Sequence, residues 1–429
     1  MKEILISWNP WWYNNRWIQK WVPRTNYVEK CTRFLKKKII VLYGVRRSGK
    51  TVIMFQIIKK LIENGSNPKN ILYLNFDDER LPRDLEGLDK IYNEYLELTG
   101  SKEPIFVFLD EVQRVAGWSS WIRRFHDMKL PVYFVVSGSS SSVLTPEIAQ
   151  VLTGRRFDLI VWPFSFEEYL IAQGIHVGND DPYIKFGAEP GRINHYLMQY
   201  MKIGGFPEVV TESIEMMRLQ YLHSYFLDII YRDIVGRYNN VNISKLRDTA
   251  LFIIENISNP INISKLAKYI DISKPTLYQY LSYLEEVFLL FYVEYFSYGA
   301  KKRLLKPKKV YIVDVGLHNA LSKASTLSYG RIAENLVFLH LKRFTDRIYY
   351  WQDEKGREID FIASINGNLY AIESKFDDVK KSDVLTTFAK TYNAIPILIT
   401  KSTIGNGRVP LWLFLLTKPE MWKKYASFS

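Results

Sequence analysis

Lys38-Ile39-Ile40-Val41-Leu42-Tyr43-Gly44-Val45-Arg46-Arg47-Ser48-Gly49-Lys50-Thr51 decides the fold of this 429-residue chain. Residues 39–43 form an apolar run rich in β-branched residues, which predicts a buried strand. Gly44-x-x-x-x-Gly49-Lys50-Thr51 follows without a gap and fits the phosphate-binding pattern G-x-x-x-x-G-K-[ST]. From Val52 to Ile62 apolar residues recur at helical spacing, and Asn64-Gly65 reads as a stop. The motif therefore stands between a strand and a helix N-terminus. There, successive N–H groups and the helix dipole attract anions. Residues 44–52 are the expected nucleotide cradle: Gly44, Val45, Arg46, Arg47, Ser48, Gly49, Lys50, Thr51 and Val52. Lys50 is expected to reach the β- and γ-phosphates of ATP, and the Thr51 hydroxyl to ligate Mg²⁺.

Residues 70–76 and 104–109 read as further strands. The second ends in Asp110-Glu111, acids at a strand's carboxyl end, where open α/β sheets bind ligands. Asp110 is expected to hold Mg²⁺ and Glu111 to polarise the attacking water. A strand at 132–136 ends in Ser137-Gly138-Ser139-Ser140-Ser141. A hydroxyl there, Ser137 first, either senses the γ-phosphate or caps the next helix. Arg155 and Arg156, in a predicted loop, are either a finger for the γ-phosphate, in their own chain or in a neighbouring subunit, or a surface pair.

Length and composition set bounds. The size fits about two to four domains. Hydrophobic residues make up 47% of the chain, enough for real cores, and the formal net charge is +13. Such a balance favours a polyanionic partner, DNA before a membrane. One cysteine, Cys31, excludes an internal disulfide framework and fits a reducing cytoplasm. No stretch approaches 18 uncharged apolar residues, so no membrane span is expected. In residues 1–35, Trp8, Trp11, Trp12, Trp17 and Trp21 stand among Arg16, Lys20 and Arg24. Such an arm either stacks bases or packs on the first domain, and five exposed tryptophans would make a large sticky patch.

Several stretches together resemble the AAA-like P-loop ATPases common in archaea and bacteria. They are residues 105–111, 137–140 and 152–155, and Trp162-Pro163-Phe164-Ser165-Phe166-Glu167-Glu168. Gly204-Gly205-Phe206-Pro207, Arg232-Asp233 and residues 311–317 (YIVDVGL) resemble that family's later segments. The resemblance implies an α/β chain: a parallel-sheet ATPase core, a helical region with a winged helix, and a mixed α/β restriction-endonuclease-like domain. The domains are then expected at 36–200, 201–300 and 301–429, behind the arm at 1–35.

Residues 175–200 read as a loop-rich connection and 212–258 as mostly helical. Residues 263–281 read as helix-turn-helix, with Ser273 as N-cap and Pro275 in the first turn. Leu277, Leu281 and Leu284 would face a core. Lys274, Thr276, Tyr278 and Gln279 would face either a DNA groove or a protein partner. Lys301, Lys302, Arg303, Lys306, Lys308 and Lys309 form a basic run, read as a phosphate-contacting patch or as a solvated linker or strand end.

Asn366-Gly367 joins two predicted strands as a hairpin. A two-residue turn there places Asp360 opposite Glu373, with Lys375 on the same face. Two facing acids call for a metal, a proton or a counter-charge. Asp360 with Glu373-Ser374-Lys375 resembles the D…(E/D)-x-K pattern of restriction-endonuclease-like nucleases, and Glu334 their helix-borne acid. That resemblance implies that Asp360 and Glu373 hold Mg²⁺ while Lys375 steadies the attacking water. The sequence thus supports two functions. One is an ATP hydrolase acting on DNA, with a C-terminal domain that cuts or holds it. The other is a nucleotide-dependent switch, possible as a homo-oligomer, whose last domain only binds.

Overall fold

The computed structural model describes all residues except 15–18, 103, 139–145, 179, 324–327, 378–381 and 427–429. Arg16, Trp17 and Ser139 to Ser141 therefore lie outside the described residues. The chain divides into two compact units, Met1–Trp162 and Pro163–Ser429.

The first unit is built on five parallel strands: β1 Ile39–Tyr43, β2 Ile71–Asn75, β3 Ile105–Asp110, β4 Val132–Gly138 and β5 Arg156–Ile160, in the order β2-β3-β4-β1-β5. β1, β3 and β4 are almost wholly buried, as their unbroken apolar runs require of a sheet covered on both faces. β4 lies between the loop strand β1 and the acid strand β3. The arm packs on this unit. Trp11 and Trp12 are buried and both donate to the Ile71 carbonyl. Trp8 donates to Asp78, and Trp21 stacks on Phe55. Among the described tryptophans of the arm, packing is the outcome.

The predicted loop around Arg155 is instead the entry to β5, a half-buried edge strand. Its pattern Arg-Phe-Asp-Leu-Ile carries two charges in five residues, which concealed it. The division after Trp162, rather than at 200, has a similar origin. Residues 182–203 are not loop but two helices, Pro182–Phe186 and Pro190–Ile203. Ile193, Leu197, Tyr200 and Met201 supply a buried helical stripe that the local glycines and prolines obscured.

In the second unit, helices Ile243–Glu255, Ile263–Ile270 and Lys274–Glu286 precede the strand pair β6 Leu290–Tyr295 and β7 Lys309–Ile312. Ser273 accepts from the Thr276 amide, Pro275 stands in the first turn, and Leu277, Leu281 and Leu284 are buried. The remaining strands are β8 Ile348–Gln352, β9 Glu358–Ile365, β10 Asn368–Ser374, β11 Ile395–Thr400 and β12 Arg408–Pro410. They join β6 and β7 in one mixed sheet of order β12-β11-β10-β9-β8-β6-β7. The boundary expected at 300 therefore falls between β6 and β7 of one sheet.

The β9–β10 register is the one the hairpin predicts, from Ile365 opposite Asn368 to Phe361 opposite Ile372. Asn366 and Gly367 both have positive φ, 49° and 78°, as a type I′ turn requires.

Candidate nucleotide site and C-terminal ion-pair cluster

The phosphate loop runs from the carboxyl end of β1 into the helix Lys50–Glu63. Gly44 cannot be replaced without strain. Its φ is +141°, and a Cβ there would sit 2.6 Å from the Val161 carbonyl oxygen. Lys50 is buried, and its ammonium donates to the carbonyls of Gly44 and Val45 at 3.2 and 3.0 Å. The Ser48 hydroxyl is buried with no hydrogen-bond partner among the described residues. An orphaned donor in a nest of amides, with a lysine folded over the same loop, fits a bound phosphate chain.

Asp110 ends β3 beside the loop. The Thr51 hydroxyl donates to its Oδ2 at 2.5 Å and the Tyr73 hydroxyl to the same oxygen at 2.9 Å, while Ser137 donates to Oδ1. Thr51 and Asp110 thus bring two oxygens together at the loop's mouth, as a Mg²⁺ ligand pair requires. Ser137 also accepts from the Glu111 amide at 3.2 Å. Its hydroxyl thus links the two acids. Glu111 has φ 53° and ψ 39°, a left-handed conformation costing a non-glycine residue about 1–3 kcal/mol. Burial pushes its carboxyl above the usual range, opposed by the Lys50 charge. Its Oε2 accepts from Gln113 at 2.5 Å. Strain and a raised pKa at the residue after the acid strand are what a general base for water needs.

Arg155 is elsewhere. Its carbonyl accepts from the Ile39 amide, at the start of β1, and its guanidinium pairs with Asp127 at 3.0 Å. The loop leaves the other end of β1, about 13 Å along the strand. Arg155 is therefore not a finger for its own chain's nucleotide. Arg156 pairs with Asp158 at 3.1 Å.

In the second unit the four residues expected to converge do so. Lys375 lies 3.3 Å from Glu373. Burial would lower its pKa, but the charges of Asp360, Glu373 and Glu334 outweigh burial and raise it. The addition is Lys309. It is buried on β7, with its ammonium 2.7 Å from Glu334, 2.5 Å from Glu358 and 3.5 Å from Asp360. Burial opposes that charge, yet the three carboxylates hold it protonated above the ordinary lysine range. The acids have other protein donors as well. Asp360 accepts from the Ser374 amide, Glu373 from Ser382, and Glu334 from Tyr311. Among the described residues no group of three or more His, Cys, Asp or Glu side chains could hold a metal ion. The cluster, as it stands, is built around an internal ammonium and does not fit the divalent cation expected at Asp360 and Glu373. Of the three answers to facing acids, it uses the counter-charge.

An AAA domain family matches residues 36–170. An uncharacterized protein of Methanocaldococcus jannaschii is 32% identical over 368 residues, covering 83% of this chain and 79% of its own length. The chain belongs to that protein's family. An uncharacterized protein of Haemophilus influenzae is 29% identical over 389 residues, with 88% of this chain and 93% of the relative covered. Two domains of unknown function, DUF8612 and DUF4143, match residues 194–328 and 329–408. Two solved structures share 14% identity. A DNA polymerase III gamma subunit-related protein of Thermotoga maritima has TM-score 0.28, with 61% of this chain and 99% of that one covered. AMPPCP-bound DnaA of Aquifex aeolicus has TM-score 0.27, with coverage of 65% and 92%.

For this AAA-domain protein, the sequence missed Arg24, Tyr73 and the placement of Lys309. Arg24 is 1% exposed, and its guanidinium donates to the carbonyls of Ser48 and Trp162 at 3.0 and 2.9 Å. It binds the arm to the phosphate loop. A lone arginine after a proline gives no signal of such a role. Lys309, by contrast, could have been found. It starts an apolar strand, Lys309-Val310-Tyr311-Ile312, and the basic run before it disguised that position.

Proposed function

We propose that this protein is a Mg²⁺-dependent ATP hydrolase whose turnover is coupled to DNA held by its second unit. The observation that carries the reading is the Thr51–Asp110 contact at the mouth of the phosphate loop, with strained Glu111 next in sequence. Residues 44–52 hold the phosphate chain, with Lys50 facing the β- and γ-phosphates. Thr51 and Asp110 would hold the metal, which would supply charge neutralisation at the phosphates. Glu111 takes the proton of the attacking water.

DNA is supported by the net charge of +13 and by the exposed cations Lys301, Lys302 and Lys306, with Arg303 beside them. Lys309 leaves that patch for the interior, and Lys308 pairs with Glu294 at 2.8 Å. The order of three helices followed by the β6–β7 pair supports a winged helix. Lys274, Tyr278 and Gln279 are exposed on its last helix. The internal ammonium favours a C-terminal domain that holds DNA rather than cutting it. The convergence of Glu334, Asp360, Glu373 and Lys375 favours cutting, and a cleavage assay in Mg²⁺ and Mn²⁺ with an Asp360→Ala control decides between them.

ATP turnover measured with single-stranded, duplex and branched DNA tests the reading. Stimulation by at least one form that is lost in Glu111→Gln supports it. Unchanged turnover in all three favours the nucleotide-dependent switch.

A further inference from the structure

A cavity of about 660 Å³ opens in the second unit, at the hairpin end of the β8–β10 sheet. Its volume is that of an ordinary ligand pocket. Two kinds of side chain dominate its wall. Phe296, Tyr298 and Tyr392 form one aromatic surface. The Phe296 ring meets those of Tyr298 and Tyr392 at 5.5 Å each, and Tyr298 and Tyr392 lie 6.2 Å apart. Arg303, Arg347 and Lys423 supply three cations, the last also donating to Asn368 at 2.8 Å, and among the described residues the lining holds no aspartate or glutamate.

Tyr298 is 80% exposed, an unusual position for a ring that packs on two others. An exposed Tyr298 ring beside the half-buried rings of Phe296 and Tyr392, with guanidinium and ammonium groups next to them, suits a planar π-system that carries a negative charge. An apolar metabolite would make no use of the guanidinium groups of Arg303 and Arg347. An inorganic anion would leave the aromatic wall without use. A nucleobase with its phosphate uses both. The helix Ala300–Leu305 borders the cavity through Arg303 and also carries the exposed Lys301 and Lys302, so further cations stand near this phosphate seat without lining it. A chain of phosphates matches such a track better than one.

We infer that this cavity binds single-stranded nucleic acid, with one base against Phe296, Tyr298 and Tyr392 and its phosphate at Arg303, Arg347 and Lys423. The inference rests on the DNA-binding reading and goes further, since it names the strand form and the seat. A duplex keeps its bases stacked inward and cannot fill the aromatic wall without opening. A free mononucleotide shares the base-and-phosphate chemistry, so both sources enter the test.

The experiment uses the full chain and a short fluorescent oligothymidylate, with binding read by anisotropy. Tyr298→Ala is suited to it because the side chain is mostly in solvent and its loss should spare folding. The expected loss of affinity for the single strand is about tenfold, with duplex affinity unchanged. Arg347→Ala should reduce the slope of log affinity against log salt by about 0.7, one phosphate on a single strand. An oligonucleotide carrying 5-iodouracil should crosslink on irradiation to Tyr298 or Tyr392, mapped by mass spectrometry. Free thymidine monophosphate should compete only at far higher concentration. Equal competition per nucleotide would overturn the single-strand assignment in favour of a mononucleotide pocket. If the wild type binds single strands but Tyr298→Ala and Arg347→Ala bind equally well, and crosslinks map elsewhere, this seat is wrong while the DNA reading stands. No binding of any DNA form overturns both.

Discussion

Lys309 meets Glu334 at 2.7 Å inside the second unit, a buried strand lysine neutralising a half-buried helix glutamate. The contact explains how Glu334, Glu358 and Asp360 can stand around one ammonium. A charge removed from one side of such a pair leaves the other uncompensated. Lys309→Met should therefore cost about 3–5 kcal/mol by urea denaturation. The loss should shrink at low pH. Burial and the neighbouring Asp360 raise the Glu334 pKa, so that carboxyl takes up its proton before an ordinary glutamate does. If Mn²⁺ restores the variant's stability but leaves the wild type unaffected, then Lys309 occupies the place of a cation.

If Glu111 takes the proton of the attacking water, turnover at the first site depends on its being ionised. Glu111→Gln should keep ATP binding and reduce hydrolysis by about 10²–10⁴-fold. Lys50→Ala should instead lose binding, because it removes the cation facing the phosphates. The raised Glu111 pKa puts the acid limb of the wild-type rate above the ordinary glutamate range of about 4.3. Phosphate release followed across pH, beside binding of a fluorescent ATP analogue, checks all three. Full turnover by Glu111→Gln would remove the role given to that residue.

A trans role for Arg155 is testable on the same assay. An alanine at Arg155 should leave ATP binding intact. If a neighbouring copy uses that arginine, hydrolysis should fall by about 10³-fold or more, and mixing with Lys50→Ala protein should restore part of it. A strictly monomeric wild type at full activity would end that role and leave Arg155 as the partner of Asp127.

How much of this was legible in sequence depended on whether the signal was local. The phosphate loop, the acids after β3, the Ser273 cap and the Asn366-Gly367 turn each fit in a window of a few residues, and each is found as read. Even the β9–β10 register followed from turn length, because side chains alternate strictly along a strand. Lys309 was misread because its partners lie 25, 49 and 51 positions away in the chain. Arg24 was passed over because its two carbonyls lie 24 and 138 positions on. The helix at 190–203 was missed because glycine and proline counts were allowed to outweigh an apolar stripe.

Gly204 and Asp314 show two weak signatures becoming one object. Asp314 is wholly buried and accepts from the amides of Gly205 and Gly316 at 2.6 and 2.8 Å. Gly204 has φ +77°, and a Cβ there would fall 1.9 Å from an Asp314 oxygen. Gly204→Ala should cost about 1–3 kcal/mol from backbone strain alone, with the clash added. Burial pushes the Asp314 carboxyl up to about 7, against the pull of its amide donors. The folded chain therefore binds a proton that the unfolded chain has released above about 4. Stability from this group falls as pH rises from about 4 to about 7. Asp314→Asn should remove that slope, seen in denaturation midpoints across the window. It should also cost about 1–3 kcal/mol, because an amide nitrogen cannot accept from the second glycine.

The last prediction concerns the arm. Arg24 donates to the carbonyl of Ser48, within the phosphate loop, and to that of Trp162, and it lies over the Tyr27 ring at 4.6 Å. Its own amide donates to Gln56 on the loop helix, whose side chain returns a bond to the Val22 carbonyl. The arm thus holds both the loop and the helix that follows it. Arg24→Met keeps much of the packing volume and removes the donors. Two buried carbonyls are left unmatched, at about 1–3 kcal/mol each. Part of that cost should appear as lost nucleotide affinity, because the Ser48 carbonyl is free to turn and the orphaned Ser48 hydroxyl moves with it. Calorimetric ATP binding and a thermal melt separate the two effects. Binding should weaken at temperatures well below the melting midpoint, and Arg24→Lys should restore only part of it, since one ammonium cannot span both carbonyls with a planar fork. Unaltered ATP affinity in Arg24→Met, with only the melt lowered, would make Arg24 a prop of the fold and not of the phosphate loop.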